Sequence, residues 1–589
     1  MIITSLCAYY HRMAALGEPG MPGPGYMPHR ITHVIEITAQ GSLERVTPFG
    51  GTTLKSFPEK QAMIPWTLEA ACRKSNLAAH VLVDKPKYSL GLDGRTPTPD
   101  HARRFRYIVD RLALETGDQG VLALQRFLRR WDPKSALDLP DWDEISTGVV
   151  AFRLQGDPYL IHERPGFRIY WDEAWLNWAD SESAVRARCL VTGIRQNIAR
   201  VHQPLKEVRG AQTTGAALVS FNKDAFTSYG KEQSYNAPIG QEAAFAYTTA
   251  LNHLLRKDNG RSIRIGDTTT VYWADSTEAE QIVRTLIDPP ACVGMDGVGD
   301  TGHSDDMHKL LMALRAGENA SLDDPALGAA RFHLLGLSPN RARLTLRFWH
   351  MGTIGELLAA FGRHYAHIAL DRQFDSQPVL PSVRQLLAAT ASIQSDNGKH
   401  AADIGSIPPL LSGALIRSVL TGSRYPMSFF SVVLSRIRMD KQVTYLRAAA
   451  LKGCLLRNHP EIAGEMPMSL DETRTDAPYL LGRLFAILEK TQRDALGANV
   501  RSTIRDSYFG AACATPPLVF PRLLRQAQHH IKNSAYGQSS DRKIKDVMQH
   551  IREFPGHLSL PEQGVFSIGY YHQANAHGKT AKEQSDAGH

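Results

Sequence analysis

The chain has 589 residues, 43% hydrophobic and 21% charged, with 67 Lys and Arg against 59 Asp and Glu for a formal net charge of +8. These proportions fit a folded protein of two to four domains and exclude a disordered class. No apolar run reaches the roughly 18–20 residues of a spanning helix, and the positive surplus favours a polyanionic partner over a membrane.

In chain order, Thr4 to Ala15 predicts a short helix, followed by a Gly/Pro-rich connector. Tyr9, His11 and Arg12 interrupt the only candidate signal region, so secretion is not expected. ITHVIEIT and SLERVTPF, split by Gln40-Gly41, predict a strand pair. Glu69 to Ser75 reads as a short helix and Asn76 to Leu90 as a loop feeding a strand. Arg103 to Trp131 carries two helical patterns broken near Gly117 and Gly120. Strands are expected at Gly148–Leu154, Phe167–Tyr170 and Ala216–Phe221, and a helix after Pro238 with Glu242 in its first turn. Ser262–Ile265 and Thr269–Trp273 form a hairpin pattern around Gly266-Asp267, and Leu344–Trp349 a further strand. Beyond about Ser376, strand alternation gives way to amphipathic segments: Ser382–Ile393, Leu410–Val419, Ser428–Met439, Val443–Arg457, Tyr479–Leu496, Val500–Ala514 and Leu518–Ser534. The fold class is therefore α+β, a mixed body over 1–375 followed by an all-helical bundle over 376–589. The polar end, Ala574 to His589, is expected to be disordered.

Six cysteines (Cys7, Cys72, Cys189, Cys292, Cys454, Cys513) never form a CxxC pair, which reads as reduced thiols of a cytoplasmic protein. GVGDTG at Gly297–Gly302 matches a dinucleotide fingerprint only in letters, because Asp288-Pro289-Pro290 before it cannot be a central strand. His303, Asp305, Asp306 and His308 could hold the metal of a free-standing nuclease. Ser304 capping a helix, with two aspartates in its first turn, accounts for the same residues. GxSxG and GxxxxGK[ST] are absent, so no enzyme and no cofactor are expected. Two segments suit nucleic acid. In SPNRARLTLRFWH, alternation places Arg341, Arg343 and Arg347 on one face and Leu344, Leu346 and Phe348 on the other. Residues two apart on a strand lie about 6–7 Å apart, near the phosphate spacing of a strand; a solvated face or a contact with an acidic subunit uses the same pattern. In CRKSNLAAHVLVDKPKYSLG, Arg73, Lys74, Ser75 and Asn76 sit in a loop with Lys85 and Lys87 across a short strand, a composition able to grip phosphates and read base edges.

Three blocks carry a family likeness: RGAQTTGAALVSFNKDAFTSYGKEQSYNAPIGQEAAFAYTTALNHLL (209–255), the opening MIITSLCAYYHRMAALGEPGMPGPGYMPHRITHVIEI, and the closing FPGHLSLPEQGVFSIGYYHQ. Together they make the whole chain resemble the large subunit of the type I-C CRISPR surveillance complex, Cascade. The resemblance implies a non-catalytic protein whose N-terminal domain inspects the protospacer-adjacent motif in duplex DNA beside the subunit that binds the RNA 5′ end. It also implies guide RNA, target duplex, displaced strand, backbone subunits and a helicase-nuclease as partners, with strand opening and R-loop stabilisation. In this family the gene's 3′ part resembles a separately translated small subunit; here that is 466–589, with Met466 and Met468 as internal-start candidates. The chain departs from the family wording at Ser75–His80, where a Gly and a Pro usually precede the apolar strand. A purely structural assembly subunit is the remaining alternative.

Overall fold

The computed structural model describes residues 1–49, 61–72, 77–178, 185–289, 309–310, 312–313, 322, 324–396, 399–408, 410–497 and 502–586. They form two compact units, Met1–Asn259 with Pro339–Thr345, and Gly260–Ser338 with Leu346–His589. The fold is α+β, mixed at the N-terminal side and helical towards the C-terminus.

In the first unit, β1 (Tyr26–Arg30) pairs antiparallel with β4 (Gln61–Pro65). A second sheet has the order β3-β2-β7: β2 (His33–Ile37) runs antiparallel to β3 (Leu43–Pro48) and parallel to β7 (Val150–Leu154). The centre strand β2 is buried along its whole length, as a strand covered on both faces must be. Phe152 of β7 packs on Phe105 and Phe127 from the helices Pro99–Thr116 and Gln119–Arg130. The break between those helices lies at Gly117, left-handed at φ 60°, and at Asp118, whose carboxylate accepts from the amides of Gly120 and Val121. Gly41 turns β2 into β3 with φ 83°, and a Cβ there would fall 2.5 Å from the Phe127 amide; only glycine fits.

Helix Gln241–Leu255 is buried on nearly every side, the scaffold role its sequence suggested. Phe245 meets Trp66, Trp175 and Tyr10, while the Cys7 thiol donates to the Ala243 carbonyl. Ala216–Phe221 contributes only single bridges, Leu205–Ala216 and Ala217–Arg343. The strand expected at Phe167–Tyr170 is instead part of the helix Pro165–Ala174. Pro165 opens it at a position that needs no amide donor, and Phe167 and Trp171, one turn apart, bury the inward face.

In the second unit, β10 (Ser262–Ile265), β11 (Thr268–Ala274), β12 (Arg331–Asn340) and β13 (Arg343–Thr353) form one sheet in that order. A continuous apolar core runs from Ile265 through Leu286, Leu387 and Leu415 to Tyr571. Sheet and helices share it, so the change of composition near Ser376 falls inside this unit. The segment Ser382–Ile393 is helical only over Val383–Ala388, where Ser382 and Gln385 make a reciprocal cap; β14 (Ser392–Asp396) then pairs with β15 (Lys399–Asp403). The expected disorder after Ala574 is corrected by a helix over Leu560–Asp586. Its polar residues are interior ones: Gln573 accepts from Arg483 Nε at 3.1 Å, and Asn575 donates to the Asp371 carbonyl at 3.2 Å.

Candidate nucleic-acid interface

Arg73, Lys74, Ser75 and Asn76 lie outside the described residues, as do His303, Asp305, Asp306 and His308. What flanks the first loop is well built. The buried carboxylate of Asp84 accepts from the amides of His80 and Lys85, both at 2.7 Å. Lys85 and Lys87 are not across a strand: Lys85 is the N-cap of the short helix Pro86–Ser89 and Lys87 is inside it. Lys85 is exposed, whereas the Lys87 ammonium rests 5.3 Å from the Tyr88 ring and its carbonyl accepts from Thr98 Oγ1.

The arginine row does not survive as one row. Arg341 sits in the turn between β12 and β13, left-handed at φ 57° and exposed. Arg343 pairs with Asn222 and lies 4.5 Å over the Phe226 ring. Arg347 is largely buried and donates to Asp267 Oδ2 at 2.7 Å and Ser338 Oγ at 3.2 Å. Burial raises the Asp267 carboxyl, but Ser412, Thr268 and Arg347 outweigh it and hold the group below its usual range. Leu344 and Phe348 are buried as alternation requires, while Leu346 is exposed. The turn takes Arg341 out of the strand, and Asp267 recruits Arg347.

Two basic surfaces stand out that sequence pattern did not single out. The hairpin of β8 (Arg186–Arg188) and β9 (Arg195–Asn197) exposes Arg186, Arg188 and Arg195, with Leu190 70% and Ile194 65% exposed at its end. It is anchored below by Cys189, whose sulfur accepts from the amides of Val191, Thr192 and Gly240. The available signal was the Thr192-Gly193 turn between RAR and RQN, with Gly193 at φ 74°. In the second unit, helices Pro516–Asn533 and Gly537–Met548 point Leu523, Ala527, Ile544 and Val547 inward. Between Pro516 and Arg552 there are seven Lys and Arg against two Asp and Glu, a surplus of five within a chain total of +8. Arg522, Arg525, Lys532, Arg542, Lys543 and Arg552 are all exposed.

Among the described residues no group of three His, Cys, Asp or Glu is placed to hold a metal, and no helix is long and apolar enough to cross a membrane. Met466 is buried and Met468 half-exposed in the connector before the helix Ala477–Leu496, which Asp476 caps. No curated protein matches the chain. A family model described as CRISPR-associated protein (Cas_Csd1) does match, over residues 6–577, taking in both compact units and the buried helix Gln241–Leu255. The chain therefore belongs to the Csd1 family of CRISPR-associated proteins and is a Cascade subunit.

Proposed function

We propose that this chain is the non-catalytic large subunit of a type I-C complex: it inspects the protospacer-adjacent motif in duplex DNA, assists strand opening, stabilises the R-loop and supports recruitment of a helicase-nuclease. Guide RNA, target duplex, displaced strand, the backbone subunits and the RNA 5′-end-binding subunit are its partners in this reading. The observation that carries it is the charge surplus on Pro516–Arg552, a solvent-facing strip that needs a polyanion and offers no base-reading geometry of its own. The Arg186/Arg188/Arg195 hairpin adds a second strip of the same chemistry. Motif reading is assigned to Lys74 and Asn76, with Arg73, Ser75, Lys85 and Lys87 supporting the loop through backbone contacts.

The experiment is duplex binding by the assembled complex at several salt concentrations. Alanine at Arg186, Arg188 and Arg195 lowers the slope of log affinity against log salt by about 0.9 for each phosphate no longer neutralised. Alanine at Lys74 and Asn76 costs about 1–3 kcal/mol on the cognate motif and relaxes discrimination, with assembly intact. A slope and discrimination unchanged in both variants would establish a purely structural assembly subunit instead.

A further inference from the structure

A pocket of about 470 Å³ opens in the first unit, lined among the described residues by Tyr26, Met63, His162, Glu163, Arg168 and Asp172. That is the size class of a small-molecule site. Its walls are fixed beforehand. Trp171 Nε1 donates to the Gly25 carbonyl at 2.8 Å, and a Cβ on Gly25 would fall 2.6 Å from Trp175 Cγ, so the Gly23–Tyr26 segment is clasped to helix Pro165–Ala174. Tyr26 Oη donates to Asp172 Oδ1 at 2.9 Å, and Glu163 Oε2 accepts from the Leu160 amide at 3.2 Å, which occupies one oxygen of each carboxylate.

His162 is the group this arrangement leaves unexplained. It is 1% exposed, and among the described residues neither ring nitrogen has a hydrogen-bond partner. Burial pushes its imidazolium down to about 3, so the ring is neutral and offers one donor and one acceptor. Two unmet polar atoms at a buried position cost stability unless something completes them. The lining carries one guanidinium and two carboxylates, a poor receptor for phosphate and a good one for N–H donors. Tyr26, Met63 and Pro24 supply flat or soft apolar wall.

We propose that this pocket takes a single unstacked nucleobase bearing an exocyclic amine, with Asp172 and Glu163 accepting its N–H groups and His162 pairing with its ring edge. This rests on the reading of the chain as a nucleic-acid-handling Cascade subunit and adds a base-selective site to its charge-selective surfaces. The same chemistry is presented by a base of a bound strand and by a free nucleotide.

Calorimetric titration of the full chain with AMP, CMP, GMP, UMP and ribose 5-phosphate tests it. The amine-bearing nucleotides bind saturably and UMP at least about tenfold more weakly, because an acceptor facing an acceptor goes unmet. Asp172→Asn, at an exposed position that leaves the core untouched, collapses the preference; His162→Phe, if folded by circular dichroism, weakens all bases alike. Tighter binding of a cytosine tetranucleotide than of CMP points to a strand as the source, and the reverse to a free nucleotide. Ribose 5-phosphate binding as well as AMP, equal CMP and UMP affinities, or an indifferent Asp172→Asn would overturn the pocket. The salt slope of duplex binding, measured in parallel, reads the basic surfaces alone. A lost slope with base discrimination intact strikes the functional reading and supports the pocket; the converse strikes the pocket only.

Discussion

Arg347 and Arg341 stand six residues apart and do opposite things. The Arg347 guanidinium completes the network of Asp267, Ser338, Ser412 and Thr268 in the second unit. Removing it leaves a half-buried carboxylate short of its cation, which costs about 1–3 kcal/mol. Arg341→Ala gives up only an exposed side chain at a left-handed turn position and leaves the melting temperature of the chain unchanged. Urea unfolding of the two variants separates them; equal stabilities would mean the Asp267 network carries no weight. The strand itself was legible in alternation, since Leu344 and Phe348 point inward as the pattern requires. What alternation cannot reveal is which arginine finds a carboxylate 80 positions away, and the pairing of Arg347 with Asp267 is such a contact.

The close approach of two helices dominates the element scale. A Cβ on Gly482 would lie 2.0 Å from the Phe566 carbonyl oxygen, and one on Gly569 would lie 2.3 Å from that of Tyr479. Helices Ala477–Leu496 and Leu560–Asp586 thus touch backbone to backbone, and methyl groups there must push them apart. Gly569→Ala is expected to cost at least about 1–3 kcal/mol, as overpacking does, despite alanine's higher helix propensity. Gly510, with nothing within 4 Å of its would-be Cβ, is the control where alanine should stabilise. A Gly569→Ala protein as stable as the parent would refute the tight crossing. This pairing explains why the last helix was hard to foresee. GVFSIGYYHQANAH is rich in polar and small residues, and its meaning lies in the partner helix, where Tyr479 meets His572 at 2.9 Å and Arg483 meets Gln573. The Asn397-Gly398 dipeptide between β14 and β15 is, by contrast, a hairpin signal present in the sequence itself.

Across the whole molecule, buried imidazoles set the acid limit. Burial holds His162, His364, His572 and His577 at about 3, and His202 and His367 at about 4. In the unfolded chain a histidine titrates near 6.5. Below that value the unfolded state binds protons that the folded state refuses, so stability is complete above about pH 6.5 and drains away as pH falls towards 4. The melting temperature should fall steadily across that window, before most carboxylates titrate; a flat profile between about pH 7 and 5 would contradict it. Internal initiation is a second matter at this scale. A product starting at Met466 or Met468 keeps the helices from Ala477 to Asp586 but loses Phe430 and Leu455, which close over Gly564. Such a fragment should be found by mass spectrometry in the complex and vanish when both methionines become leucine. Expressed alone, it should bind a hydrophobic dye at the uncovered Gly564 face. A complex that is active without any such fragment would count against the second start.

The placement of Pro339–Thr345 in the first unit, between stretches of the second, has a consequence for heredity and for engineering. The chain passes from one unit to the other three times, after Asn259, after Ser338 and after Thr345. No single cut therefore yields two intact halves: a gene truncated after Asn259 drops the turn whose Ala342 carbonyl accepts the Ala217 amide and whose Leu344 amide donates back to Ala217. Recombination between related genes faces the same rule, and a viable exchange of the first unit has to carry a seven-residue passenger from far downstream.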